Sequence, residues 1–377
     1  MLWSIILLSV LFIFYVYIGY PLAIYLLAKN KKKSFPTISY KGDISIVMVV
    51  CNEESNISKK LDNILSLKYS GGNLQIIVVD DASDDDTLRL IRSYGEKVRL
   101  LSLPNRLGKA NGLNQAMKHV NTELTLMVDC RQTLEKDVVT LLSSWFATDK
   151  KVGAISGELM FLQQGSNEFS NGMDGYWKYE KLIRSSEAAI SSVPGVTGAL
   201  YMLRSNAFQP IEPDTLLDDV LIPMNAIKQG WKVGFDSRAI AWDVPSTSIS
   251  NEKKRKIRTL SGNYQLLQRE PKWIMPFGHP IWLQFFSHKI ARLVAPFVGV
   301  ASLVSSLLLS FNGDKIALIY ATTFILVLML VPLTALIPSI NRLSIIKLMT
   351  SFITLNWFCV LAFFHYFSGI KSGSWKS

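Results

Sequence analysis

Apolar residues along this chain fall into two kinds of run. Short runs, ISIVMVV (Ile44–Val50), IIVV (Ile76–Val79) and LTLMV (Leu124–Val128), are rich in β-branched residues and separated by polar, helix-compatible stretches. Short apolar runs without alternation predict strands buried on both faces, and their order with helices predicts a parallel, doubly wound sheet. The pattern places helices at about Ser55–Leu67, Thr87–Tyr94 and Lys109–His119, and a further strand at Val98–Ser102. Long runs form the second kind. No charged residue occurs from Leu2 to Ala28, and three more runs, roughly Ile290–Phe311, Ile316–Pro338 and Ile345–Phe367, close the chain. Each reaches the ~20 residues that cross a bilayer. The expected organisation is a transmembrane helix over 1–28, a basic linker over 29–42, an α/β domain over 43–250, basic and interfacial helices over 251–289, and about three spans over 290–370.

Charge sharpens this division. The net charge of +11 is concentrated at Lys29, Lys31, Lys32 and Lys33 and again at Lys253, Lys254, Arg255, Lys256 and Arg258, each group beside a membrane run. The first run is followed rather than preceded by basic residues, so it reads as an anchor and not as a cleaved leader. By the positive-inside rule the α/β domain is cytoplasmic, in a multi-pass protein of the plasma or inner membrane. Asn341, Arg342 and Lys347 fall where the cytoplasm is expected, whereas Lys371 and Lys376 pull against an external C-terminus. Attraction to anionic headgroups, ~1 kcal/mol for each basic residue, accounts for the excess. With no zinc pattern or RNA-binding signature, nucleic acid is not an expected partner. Cys51, Cys130 and Cys359 are isolated and predict no disulfide. His279 and His288 have no acid or second histidine at ligand spacing.

Two short strands end in carboxylates. Ile76–Val79 runs into Asp80 and Asp81, and Leu124–Val128 into Asp129, Cys130 and Arg131. In open α/β sheets ligands bind outside the carboxyl ends of the strands. Capping of the next helix accounts equally well for Asp84–Asp86, but it needs only one acid and leaves Asp80 and Asp81 over. The chain has no G-x-G-x-x-G after its first strand and no G-x-x-x-x-G-K-[ST], which removes the main support for a dinucleotide oxidoreductase or a P-loop enzyme. A diphosphate bound here would be neutralised by a metal or by Arg106, Lys109 and Arg131. Further on, 165–175 reads as a polar loop and Tyr176–Ala189 as a helix. The small-residue turn Gly195–Ala199 precedes a strand, and Pro210 and Pro213 introduce a helix headed by Asp218 and Asp219, where acids also serve as dipole partners.

The ordered segments VVCNEES, VVDDAS, NRLGKANGLNQAM, VDCRQ, GVTGALYMLR and LLDDVLIPMNAIKQGW resemble membrane-bound, inverting family-2 glycosyltransferases, a group that includes polysaccharide synthases. The resemblance covers nearly the whole chain. It implies a GT-A fold, a Rossmann-like nucleotide-sugar-binding sheet, with a UDP-linked nucleotide sugar as donor. Asp81, with Asp80 beside it, then lies at the donor's base and ribose, and Gly108, Lys109 and Ala110 lie near the nucleotide. Asp129 matches the leading acid of the metal-binding Asp-x-Asp, implying a divalent cation, Mg2+ or Mn2+. Arg131 stands where the second acid belongs and puts that cation in question. Either Arg131 turns away and Asp129 alone anchors the ion through the diphosphate, or its guanidinium forks onto a phosphate or a nearby acid; pairing with Glu135 is the purely structural alternative. Asp219, with Asp218, matches the position of the general base. Gly195, Thr197 and Gly198 match the acceptor side, where Tyr176, Trp177 and Tyr179 stack on sugars, meet the membrane interface or simply pack.

Processive synthases carry Gln-x-x-Arg-Trp where this chain has Arg255-Lys256-Ile257-Arg258-Thr259. Arg258 matches on the acceptor side; the missing tryptophan weakens the case for processive synthesis. The implied acceptor is a membrane-held polysaccharide or lipid-linked saccharide, the implied surroundings the lipid bilayer and membrane proteins of a polysaccharide pathway. Two other readings compete. Asp129-Cys130-Arg131 fits a catalytically inactive nucleotide-sugar-binding protein, and the spans fit a transporter with a cytoplasmic sensor domain, although they carry almost no ionisable groups before their ends.

Overall fold

The computed structural model describes residues 1–31, 35–162, 168–244, 249–337, 339–340 and 343–369. Asn341, Arg342, Lys32, Lys33, Lys371 and Lys376 lie outside the described residues, as does the start of the expected 165–175 loop. From Glu168 on, that stretch belongs to a helix running to Ile190.

The strands are β1 (Ile44–Val50), β2 (Leu74–Asp80), β3 (Arg99–Ser102), β4 (Leu124–Val128), β5 (Thr133–Leu134), β6 (Val152–Phe161), β7 (Leu200–Arg204) and β8 (Lys232–Asp243). They form one sheet in the order β3-β2-β1-β4-β7-β6-β8-β5. The first half is parallel, as the apolar runs predict: β1 pairs with β2 and β4, and β2 with β3. The second half is mixed, because β7 runs antiparallel between β4 and β6. The helices expected between the strands are present as Ile57–Leu65, Thr87–Arg92 and Lys109–Met117.

The strands are unbroken apolar runs because both faces are covered. On one face Val47, Val49, Ile77 and Val79 pack with Ala110, Leu113 and Ala116. On the other, Ile46, Met48 and Val78 pack with Ile57, Leu61 and Ile64. Gly112 permits the close approach of its helix to β1, since a Cβ there would stand 2.4 Å from Val49 Cγ1. That approach brings Lys109, at the helix start, to the carboxyl edge of the sheet.

Among the described residues four helices are long and apolar enough to cross a membrane: Leu2–Lys29, Trp282–Phe311, Lys315–Thr334 and Ile345–Phe367. The second begins earlier than its apolar run suggests, because a π-helical turn at Phe286–Ile290 joins Trp282–Phe285 to the rest. The first span carries a π-helical turn of its own at Tyr15–Gly19. Tyr17 Oη donates to Asn356 Oδ1 at 2.9 Å and ties the first span to the last.

Candidate active site

Edges of strands running in opposite directions meet at one place. Val128, at the end of β4, is registered opposite Leu200, at the start of β7. Asp129 therefore leaves the sheet where the Gly195–Ala199 turn enters it, and both line a cavity of about 480 Å³. The helix Asp218–Lys228 closes the same space with both its leading acids.

Lys109 sits at the centre of the charges. Its Nζ is 2.8 Å from Asp129 Oδ1 and 3.0 Å from Asp218 Oδ2. Burial alone would lower this amine, but Asp129 and Asp218 hold it well above its ordinary range. Asp219 shows the opposite balance. Burial and the neighbouring Asp218 carboxylate raise its carboxyl to about 6, against a weaker downward pull from Lys109. A group so tuned is largely ionised at neutral pH yet more basic than an ordinary aspartate, which suits it to accept a proton. Val196 N donates to Asp219 O at 2.8 Å, so the small-residue turn is tied to the backbone of the same residue.

Asp80 and Asp81 are not among the residues lining the cavity. Asp81 is fully buried and accepts from Leu107 N at 2.8 Å and Gly108 N at 2.7 Å. It thereby shapes the loop that delivers Lys109, where Gly108 has φ +93°. Asp80 is buried too, with Oδ2 accepting from Ser83 N at 3.3 Å. Of the following acids, Asp85 accepts from Thr87 N at 3.0 Å, while Asp86, at the head of the helix, makes no capping hydrogen bond and pairs with Arg89 instead. Beside them Asn52 and Ala82 both adopt positive φ, 56° and 55°, at the ends of β1 and β2. Arg106 Nη2 donates to Ala82 O at 3.1 Å and stays on this flank.

Arg131 lines the cavity but forks onto a nearby acid. Its Nε is 3.0 Å from Asp243 Oδ1 and its Nη2 2.6 Å from Asp243 Oδ2. The structural pairing with Glu135 does not form; Glu135 Oε1 accepts from Trp242 Nε1 at 2.6 Å. Arg258 also lines the cavity, beside Thr259. Of the three aromatics on the 168–190 helix, Trp177 faces the cavity, Tyr179 donates to Tyr17 O at 2.8 Å, and the side chain of Tyr176 lies outside the described residues.

Sequence reasoning missed two residues. Asp243 ends a strand, Ile240-Ala241-Trp242-Asp243, with the same apolar-then-acid signature as Asp80 and Asp129. Arg184 lies within a helix whose charges Glu180, Arg184 and Glu187 recur at helical spacing, so that all three face one way. Among the described residues no group of three His, Cys, Asp or Glu side chains is placed to hold a metal ion.

Residues 45–204 match the family described as Glycosyl transferase family 2. Poly-beta-1,6-N-acetyl-D-glucosamine synthase of Staphylococcus aureus (strain COL) is 23% identical over 246 residues, 64% of this chain and 59% of that protein. The synthase of the same name from Staphylococcus epidermidis is 20% identical over 265 residues, 69% of this chain and 61% of that one. The chain thus spans about three fifths of the length of these curated relatives. The solved structure of mannosyltransferase PcManGT from Pyrobaculum calidifontis, in complex with GDP-Man and Mn2+, shares the fold with a TM-score of 0.73 at 20% identity, covering 97% of this chain and 99% of that one.

Proposed function

We propose, on the premise that residues 45–204 form a family-2 glycosyltransferase domain of GT-A fold, that this membrane protein transfers a sugar from a nucleotide-sugar donor to an acceptor held at the bilayer, with inversion at the anomeric carbon. One observation carries the reading: Asp219, with its raised carboxyl pKa, shares a single cavity with the Lys109–Asp129 pair. A proton acceptor and a cation suited to a departing diphosphate thus open onto the same space.

The acceptor hydroxyl oxygen bonds to the anomeric carbon as its proton passes to the Asp219 carboxylate. The bond from that carbon to the diphosphate oxygen breaks, and the nucleoside diphosphate leaves with the electron pair. Attack from the face opposite the leaving group inverts the centre. Lys109 is positioned for the diphosphate's charge, a contribution that grows as charge develops in the transition state. Asp218 holds Lys109 in place while raising the basicity of Asp219. The donor's nucleotide is read as UDP and the nucleotide side as the flank of Asp80 and Asp81; Gly195, Thr197, Gly198 and Arg258 form the acceptor side.

The metal question turns on the donor set. Asp129 presents one partly exposed carboxylate whose Oδ1 is already held by Lys109, and Arg131 replaces a second acid. This set fits an ion that arrives with the donor and is held mainly by its diphosphate, not a resident one. Bound there beside Asp129, Mg2+ or Mn2+ would supply positive charge to the leaving group. The absence of a tryptophan at Thr259 supports addition of single sugars over polymerisation, and the lysines at the end of the first span support a cytoplasmic site.

The experiment is turnover by the detergent-purified protein with UDP-N-acetylglucosamine, UDP-glucose and GDP-mannose, each with a membrane lipid extract as acceptor. Labelled sugar in a single new product is the expected result. A ladder of lengths would make the protein a polymerase, and no release of nucleoside diphosphate from any donor would leave it a binding protein.

A further inference from the structure

The acceptor-side turn is held from two directions, and one of the two supports leads into the membrane. Thr197 N donates to Ser156 Oγ at 2.8 Å. Arg184 Nη1 donates to Thr197 Oγ1 at 2.9 Å, and Arg184 Nη2 to Ser156 Oγ at 2.7 Å. The guanidinium lies 4.7 Å from the centroid of the Phe235 ring, which fixes its plane. On the other side of the turn, Val196 N is bonded to Asp219 O, and Gly198 is so placed that a Cβ would stand 3.5 Å from Asp219 Oδ2. The turn is thus a short bridge between Asp219 and Arg184.

Arg184 belongs to the 168–190 helix, and the acids one turn to either side of it are bound to the spans. Glu187 is fully buried; its Oε1 accepts from Tyr20 Oη of the first span at 2.6 Å, and its Oε2 lies 3.0 Å from His288 Nδ1 of the second. His288 Nε2 lies 2.8 Å from Glu180 Oε2, and Arg292 pairs with the other Glu180 oxygen. Both spans depart from α-helical geometry here, and Tyr15 Oη and Ser287 Oγ, one from each π-helical turn, meet at 2.6 Å. Such turns re-aim side chains at a stability cost and concentrate at functional sites.

We infer that Arg184 is the positioning residue that sets the acceptor-side turn against Asp219, and that the membrane spans set Arg184 through Glu180 and Glu187. Acceptor geometry is then a property of the helix–span junction, not of the α/β domain alone. The inference rests on the proposed transfer reaction for its consequence but not for its structural content.

The test uses the full chain in detergent. In Arg184→Gln, amide hydrogen exchange at Val196 and Thr197 should rise at least tenfold, with β1 and β2 unchanged. Glu187→Gln, distant from the turn, should raise exchange at the same two amides by a smaller factor. Arg184→Lys should restore part of the protection, and adding Thr197→Val to Arg184→Gln should change little, because the arginine substitution already removes the Thr197 contact along with that to Ser156. With whichever of UDP-N-acetylglucosamine or GDP-mannose turns over, and the lipid extract as acceptor, the ratio of transfer to donor hydrolysis should fall about tenfold in Arg184→Gln. Should that variant not fold, Thr197→Val alone reports the contact, and His288→Gln replaces Glu187→Gln on the same ground. Unchanged exchange at the turn, or a rise spread equally over the sheet, overturns the inference. Full transfer by Asp219→Asn would instead sink the reaction and leave the exchange result standing.

Discussion

Arg131 makes two parallel hydrogen bonds to Asp243, a carboxylate 1% exposed at the end of β8. Gln132 Nε2 and Val244 N also donate to that carboxylate, at 3.0 Å and 2.9 Å, so the arginine is one of several groups that satisfy it. This geometry places a fixed positive charge beside Asp129 and gives it an anchor that any ligand must compete with. Arg131→Asp removes the charge and adds a carboxylate; half-maximal Mn2+ for donor hydrolysis should fall about tenfold. Loss of a bidentate partner from a buried acid should also destabilise the fold, by up to ~3 kcal/mol. A metal titration unmoved by the substitution would place Arg131 away from the ion.

Asp219→Asn should bind donor normally and lose transfer by a factor of ~10² to 10⁴, the usual contribution of a positioned base. The pH profile should carry an acidic limb near 6, with activity rising as Asp219 deprotonates. Asp218→Asn removes the like charge beside it and should move that limb to lower pH. Stability gives an independent check of sign. A carboxyl raised in the folded state contributes stability that is present below its unfolded value near 3.8 and is lost as pH rises through about 6. At pH 7.5 the Asp219→Asn protein should therefore melt above wild type, and a lower melting point would contradict the raised carboxyl.

Gly198→Ala tests the acceptor side without disturbing the fold. The added methyl meets Asp219 Oδ2 at 3.5 Å and Lys109 Nζ at 3.7 Å, ordinary contact distances. Melting should stay within a degree or two of wild type. Transfer should fall by roughly 10² if the methyl keeps the acceptor hydroxyl from the base, since displacement of about 1 Å costs that much. Wild-type transfer rates would show that the acceptor does not pass over Gly198.

Tyr20→Phe removes the hydroxyl that the first span donates to Glu187. The buried acid keeps His288 but loses one partner, at a cost of ~1–3 kcal/mol. Deleting residues 1–28 should cost more, because Tyr20 and Ile24 pack with Ile183 of the 168–190 helix. The measurement is thermal melting of the purified protein. A truncated domain that melts with wild type would show that this junction adds nothing to the fold.

The apolar runs made the parallel half of the sheet legible, because a strand covered on both faces announces itself without alternation. Asp129 is legible for a related reason, since it directly follows the β4 run, whereas Asp218 and Asp219 stand out through the family resemblance of their segment. The partners of Asp81 are not legible in this way. Its carboxylate accepts from Leu107 N and Gly108 N, a choice made by backbone donors that no residue pattern displays. For Arg131 the sequence offers turning away, forking onto a phosphate or a nearby acid, or pairing with Glu135, but it does not display Asp243, which lies 112 positions on and comes near through the pairing of β5 with β8. Arg184 escaped notice because its neighbours Glu180 and Glu187 read as an ordinary polar helix face until the spans supply His288 and Arg292.

Tyr20 and Glu187 are 167 positions apart, and that separation fixes an order of assembly. Translation delivers the first span to the bilayer before any strand of the sheet exists. Its Tyr20 and Ile24 then wait as half of an interface until β1 to β6 and the 168–190 helix have been made. The second span, bearing His288, is synthesised a further hundred residues later, so Glu187 acquires its two partners in separate events. Closing such long loops costs little more than closing short ones, ~0.6 kcal/mol for each doubling. A ribosome that stalls after β8 but before the second span leaves a chain with every strand made and a buried acid lacking its histidine.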